Sequence, residues 1–290
     1  MTGFVEIVEM GPRDGLQNEP RLIPTTDKIA LVNSLSLVGF KRIEVASFVS
    51  PKWVPQMADG AQVLAAIHRN AAVLYSALTP NLKGYTAAMA ARADEVAIFA
   101  SASEGFSRAN LNCSISESLE RFGPVAKAAK ADNVKMRGYV SMITDCPFEG
   151  AVAPAAVARV VAALRDLGCY EVSLGDTLGQ GRPEAIDLML DAVLNEMAPE
   201  GLAGHYHDTS GRALENIEVS LARGIRVFDA SVAGLGGCPY APGAKGNVAT
   251  ESVDLRLRAL GYTTGLDHDA LMAASKLAQR LRNPQSDQKS

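Results

Sequence analysis

The chain has 290 residues, 48% hydrophobic and 21% charged, enough apolar material for one large core and ordinary for a globular protein rather than a disordered, collagenous or membrane one. A net charge of −4, with 28 lysines and arginines scattered instead of striped, argues against a nucleic-acid partner, and no window approaches the ~20 uninterrupted apolar residues of a membrane span. Four cysteines without a CxxC pair make neither a disulfide framework nor a zinc ribbon, and the N-terminus resembles neither a signal nor a transit peptide, so a reducing, cytoplasmic location is expected.

In chain order, "VEIVEM" (5–10) reads as the first strand. The loop after it is "GPRDGLQNEP", where a doubly wound nucleotide-binding sheet would carry G-x-G-x-x-G. A helix follows in "TTDKIALVNSLSLVGF" (25–40), then strands at 42–48, 73–78 and 95–101. Ser114 and Glu117 stand at capping-box spacing at the head of a helix over 114–133. Further strands at 135–143, 170–176, 202–208 and 227–234 alternate with helices that open on Pro154 and Pro183. Eight strand–helix units in about 260 residues predict a (β/α)8 TIM barrel with an additional C-terminal helix, one domain over 1–290 ending in a polar tail at 283–290.

A barrel gathers its chemistry at the C-terminal ends of its strands, and unusual polar residues recur there. His205 and His207, two of only four histidines, have the i, i+2 spacing that puts both rings on one strand face. Periodicity alone leaves them open as a hydrogen-bonded core pair or as ligands of a divalent metal. Asp14 stabilises a turn before Gly15 or serves the site; Arg13 beside it is a surface cation or a holder of an anionic oxygen. Glu44, between Ile43 and Val45, is expected to point into the barrel and to need a partner, with Arg13 the obvious one. Asp176 is a helix N-cap or a member of the catalytic face. Cys113, Cys146 and Cys169 read as small core residues, whereas Cys238 sits in the glycine-rich loop "GLGGCPYAPGAKGN", as a proton carrier or as an inert thiol. Lys245 in that loop lacks the spacing of a phosphate loop.

The segments "VEIVEMGPRDGLQNEP", "IEVASFVSPKWVPQMAD", "ASASEGFSRANLNCSISESL", "GCYEVSLGDTLGQG", "GHYHDTSGRALENI" and "ASVAGLGGCPYAPGAKGNVATE" together resemble the 3-hydroxy-3-methylglutaryl-CoA (HMG-CoA) lyases of the metal-dependent lyase and Claisen-synthase superfamily. R-D-G and H-x-H-D-T are shared across that superfamily; the second and last segments point to the lyase branch, and the synthases' extra C-terminal domain has no room here. The resemblance implies a divalent metal, Mg²⁺ or Mn²⁺, held by Asp14, His205, His207 and Asn247. It implies enolate stabilisation by Arg13, substrate contacts from Arg13 and Gln17, and Cys238 as a mobile acid/base. Glu44, Asp176 and Glu251 would support the network, and His205, Asp176 and Cys238 are the candidates for proton transfer. The implied reaction is cleavage of HMG-CoA to acetyl-CoA and acetoacetate by a homodimer, within leucine breakdown. Ser210, smaller than its counterpart in relatives, implies room for a longer acyl chain. The alternatives are a lyase for such a longer substrate, a Claisen-type synthase using acetyl-CoA and a 2-oxo acid, and a non-catalytic metal or acyl-CoA binder.

Overall fold

A computed structural model describes residues 3–238 and 241–282, with Cys238 and residues 241–245 described as backbone. The predicted tail at 283–290 lies outside the described residues. The strands run Glu6–Glu9 (β1), Arg42–Ser47 (β2), Leu74–Leu78 (β3), Glu95–Ser101 (β4), Lys135–Ser141 (β5), Asp145–Cys146 (β6), Gly150–Ala151 (β7), Glu171–Asp176 (β8), Leu202–Tyr206 (β9), Val227–Ala230 (β10), Gly237–Cys238 (β11) and Ala241–Lys245 (β12). Eight of them close a parallel barrel in the order β1-β10-β9-β8-β5-β4-β3-β2, and these are the eight expected from the sequence.

Local chemistry accounts for the boundaries. The Ser114 hydroxyl accepts from the Glu117 amide and the Glu117 carboxylate from the Ser114 amide, closing the capping box that starts the helix Ile115–Ala131. Helices Pro154–Asp166 and Pro183–Val193 begin at their prolines, where a missing amide costs nothing. The outward faces of the strands and the inner faces of these helices form one continuous apolar layer, with Ile7, Ile43, Val96, Val172, Leu164 and Leu190 all buried.

Three expectations need correction. The strand at 135–143 stops at Ser141 because Met142 takes φ 61°, in the left-handed region that breaks a ladder. The strand at 227–234 stops at Ala230 and gives way to a helical turn, Val232–Gly234, that contains Ala233 at φ 56°. The glycine-rich segment is an antiparallel hairpin, β11–β12, rather than an open loop; its strands are too short for alternation to reveal. A second small hairpin, β6–β7, follows β5.

The additional C-terminal helix is present as His268–Arg282 and packs on Thr25–Leu35. Its Arg282 donates to the carbonyls of Gly234 and Gly236 (3.2 and 3.0 Å) and pairs with Glu19 (3.0 Å), so it braces the chain just before β11. Among the described residues no helix is long and apolar enough to cross a membrane.

Candidate functional site

The residues singled out in the sequence converge at the C-terminal mouth of the barrel. "GPRDG" folds as one wide helical turn, Gly11–Gly15, directly after β1, which swings Arg13 and Asp14 over the opening. His205 rises from β9 and His207 follows it, their ring centroids 5.3 Å apart, as i, i+2 spacing requires. Asn247 arrives from 40 residues downstream because its backbone bridges that of His207. Its side-chain amide donates to Asp14 Oδ2 (2.8 Å) and to the Leu235 carbonyl (3.2 Å).

Asp14, His205 and His207 each offer a ligand atom, and these atoms lie within 4.8 Å of one another. His205 Nε2 is 3.9 Å from Asp14 Oδ2. One carboxylate and two imidazoles form a donor set suited to a divalent cation, and no thiolate accompanies them among the described side chains. His207 Nδ1 is buried without a hydrogen-bond partner among the described residues, which a cation-binding site explains and a satisfied core histidine does not. The arrangement therefore fits a resident metal.

The electrostatics favour the cation-ready state. Burial pushes the Asp14 carboxyl up, but Arg13, His205 and His207 outweigh it and hold Asp14 well below the usual carboxylate range. Burial and the neighbouring His205 depress His207 to about 4, so at neutral pH its ring is uncharged and has a lone pair to give.

Arg13 contacts Asp14 through Nη1 and Glu44 through Nη2 (2.9 Å). Glu44 is fully buried and faces inward, as expected, and it also accepts from the Tyr139 hydroxyl (2.8 Å). Arg13 Nε is buried without a partner among the described residues. Gln17 is half-buried, and its Oε1 likewise lacks one among them. Arg13 touches Asp14, so a polar substrate at the cluster would complete its free Nε–H.

Asp176 does not cap a helix. Its carboxylate accepts from the amides of Gly181 (2.9 Å) and Gln180 (3.4 Å) in the turn after β8, while its carbonyl accepts from the His207 amide (3.3 Å). Burial raises it to about 6 against those hydrogen bonds. Glu251 takes the Ala233 amide (3.0 and 3.1 Å), bracing the turn before β11. The side chain of Cys238 falls outside the described residues. Ser210 is exposed, and its amide donates to the Gly179 carbonyl (3.1 Å).

Sequence reasoning missed the layer beneath. Arg137 on β5 donates to Glu171 (2.7 Å), Asp229 (2.8 Å) and the Tyr139 hydroxyl (2.9 Å). Asp229 on β10 holds His205 Nδ1 (3.1 Å). The inward-facing rule applied to Glu44 would have found Arg137 and Tyr139, which share its i, i+2 logic in "KMRGYVSMI".

Glu9, also missed, ends β1 and is fully buried. It accepts from the amides of Gly11 (2.7 Å) and Val232 (2.9 Å) and the Thr250 hydroxyl (2.7 Å), tying the Arg13–Asp14 turn to the segments that follow the neighbouring strand β10. Burial drives it from 4.5 up to about 8, against those donors. A carboxyl raised on folding contributes stability that is complete below pH 4.5 and lost as pH climbs through 8. Glu9→Gln mimics the protonated form, so its melting temperature should fall less than that of the wild-type protein between pH 6 and pH 9; equal falls in thermal scans would refute the assignment.

The HMGL-like family model matches residues 4–278, which is nearly the whole barrel. The chain belongs to the HMGL-like family. Among HMGL-like relatives, the 3-hydroxy-3-isohexenylglutaryl-CoA/hydroxy-methylglutaryl-CoA lyase of Pseudomonas aeruginosa is 56% identical over 94% of this chain and 91% of its own. The crystal structure of the HMG-CoA lyase from Brucella melitensis superposes with a TM-score of 0.96 at 61% identity, covering 97% of this chain and 99% of that one. An HMG-CoA lyase from Acinetobacter baumannii, solved in complex with coenzyme A and 3-methylmalate, matches with a TM-score of 0.91 at 37% identity over 99% of this chain and 95% of that one. The HMGL-like barrel thus carries its acid and imidazole cluster in a setting shared with known lyases.

Proposed function

We propose that this chain is a divalent-metal-dependent carbon–carbon lyase that cleaves 3-hydroxy-3-methylglutaryl-CoA to acetyl-CoA and acetoacetate. The observation that carries the reading is the Asp14–His205–His207 cluster beside a buried arginine with a free Nε, in a chain 56% identical to a named lyase of this substrate. Asp14, His205, His207 and Asn247 would hold the metal, Mg²⁺ or Mn²⁺. When bound, it supplies Lewis acidity to the substrate's tertiary hydroxyl and charge neutralisation to its free carboxylate.

The chain's own groups supply the rest. His205 has its Nδ1–H committed to Asp229 and its Nε2 turned toward Asp14, so neither nitrogen is free to exchange a proton with substrate, which removes it from the three proton-transfer candidates. Asp176 is assigned the hydroxyl proton on the resemblance to the lyases and on its place at the end of β8, where its backbone carbonyl takes the His207 amide. As that O–H bond breaks, a C=O bond forms at C3 and the C2–C3 bond breaks, leaving its electron pair as the enolate of acetyl-CoA. Arg13 Nε–H, unpaired and buried, is placed to donate to the enolate oxygen, and Gln17 to contact the substrate beside it. Cys238 is assigned delivery of a proton to C2, on its position in the β11–β12 hairpin at the mouth and on the resemblance to the lyases. Glu44 keeps Arg13 in place, and Glu251 keeps the turn leading to that hairpin.

The family resemblance supports a homodimer of single barrel domains. The unpaired, buried Cys113, Cys146 and Cys169 support a reducing, cytoplasmic location. The methyl substrate is preferred to a longer acyl chain because it is the one named for relatives of more than 50% identity.

Purified protein incubated with HMG-CoA and Mg²⁺ should release acetoacetate, lose that activity in EDTA and regain it on adding Mg²⁺. Absence of acetoacetate from metal-loaded protein overturns the reading, and CoA release from acetyl-CoA plus a 2-oxo acid would replace it with the synthase.

A further inference from the structure

Asp229 is a buried charged group at this end of the barrel to which neither the sequence nor the reaction assigns a role. It is 2% exposed, on β10, beside His205 in the register of β10 with β9. Its two oxygens are fully engaged. Oδ1 accepts from Arg137 Nη2 (2.8 Å). Oδ2 accepts from the Ser173 hydroxyl (2.8 Å) and lies 3.1 Å from His205 Nδ1.

That environment decides which His205 nitrogen carries a hydrogen. A carboxylate paired with a guanidinium and a hydroxyl donor has only acceptor capacity left, so the Nδ1 atom facing it must be N–H. A neutral imidazole protonated at Nδ1 has its lone pair at Nε2, and Nε2 is the atom that faces Asp14 at 3.9 Å. The carboxylate therefore sets both the tautomer and the direction of the ring.

We propose that Asp229 is the positioning residue of the metal centre, locking His205 with hydrogen on Nδ1 and the Nε2 lone pair turned toward Asp14 and His207. This rests on the metal-dependent function proposed above. Arg137 gives the device its reach. The guanidinium that fixes Asp229 also donates to Tyr139, whose hydroxyl donates to Glu44, which in turn holds Arg13. One buried cation thus aligns, through two separate chains of contacts, both a metal ligand and the arginine beside it.

The test uses the full chain with only four histidines to assign. Long-range ¹H–¹⁵N NMR of metal-free wild-type protein should show His205 Nδ1 protonated; an unprotonated Nδ1 overturns the proposal whatever the variants do. Mn²⁺ titration followed by electron paramagnetic resonance should show affinity about 10- to 100-fold weaker in Asp229→Asn than in wild type. Equal affinity in a folded Asp229→Asn also overturns it. Should that variant fail to fold, the wild-type NMR measurement still decides the question. Wild-type protein that binds no Mn²⁺ refutes the metal-dependent function instead, while the tautomer measurement continues to report on Asp229 itself.

Discussion

His207→Ala should weaken divalent-metal binding severely and lower turnover of HMG-CoA by about 10³-fold or more, with the melting temperature close to that of the wild-type protein. The rate follows from losing a ligand whose metal supplies several kcal/mol of charge stabilisation, at about 1.4 kcal/mol per tenfold. The unchanged stability follows from the geometry. His207 Nδ1 has no hydrogen-bond partner among the described residues, so deleting the ring leaves none of them newly unpaired at that atom. Asp14 is a poorer probe, because its removal releases Arg13 and Asn247 together. Calorimetric titration with Mg²⁺ beside initial rates of acetoacetate release reads both quantities. A His207→Ala protein that still binds the ion tightly would dismiss His207 as a ligand.

Arg137→Met acts on the opposite balance, with stability as the quantity that collapses. Arg137 is among the largest fully buried side chains and faces two carboxylates, Glu171 and Asp229, and a phenol. Methionine fills similar volume but leaves buried anions without their cation, a loss of about 3–5 kcal/mol when one partner of a buried pair is removed. Urea unfolding should show a midpoint well below that of the wild-type protein. Arg42 shares Glu171, at 2.7 Å, and remains to neutralise part of the excess, so a folded remnant at low urea is expected rather than complete unfolding. A midpoint unchanged by the substitution would mean that the barrel interior is far wetter than its packing indicates.

The legibility of the chain divides along a physical line. Strands and crossover helices were readable because each buries a periodic apolar face, and because Ser114, Pro154 and Pro183 announce helix starts locally. Arg13, Asp14, Glu44, His205 and His207 were readable because polar residues at strand ends are anomalous, and the structure gathers all five at the mouth. Asn247 could be reached only through resemblance, since backbone pairing with His207, a tertiary event, brings it in. Arg137, Asp229 and Glu171 were not seen, although each is a charge inside a strand. Their partners lie on different strands, and Arg137 and Asp229 are 92 positions apart, so nothing local shows that the charges neutralise one another. Glu251 illustrates the converse: a residue implied to support the chemistry is found supporting a peptide turn.

The β11–β12 hairpin leaves the barrel through a neck two glycines wide. Gly236 has φ 114°, and a methyl group there would meet Asn247 Nδ2 at 2.8 Å; one on Gly246 would meet Gly236 and Gly237 backbone atoms at 2.9 Å. The Gly246 carbonyl is itself fastened by the Asp208 amide at 2.7 Å, and the Gly236 carbonyl by Arg282. Both strands of the hairpin are therefore tied where they meet the barrel, and Asn247, the residue after Gly246, shares that tie while its side chain donates to Asp14. A side chain added at Gly236 would push on Asn247 and through it on Asp14, and one added at Gly246 would push on Gly236, so the neck and the cluster are one mechanical unit and tolerate no change made for one alone.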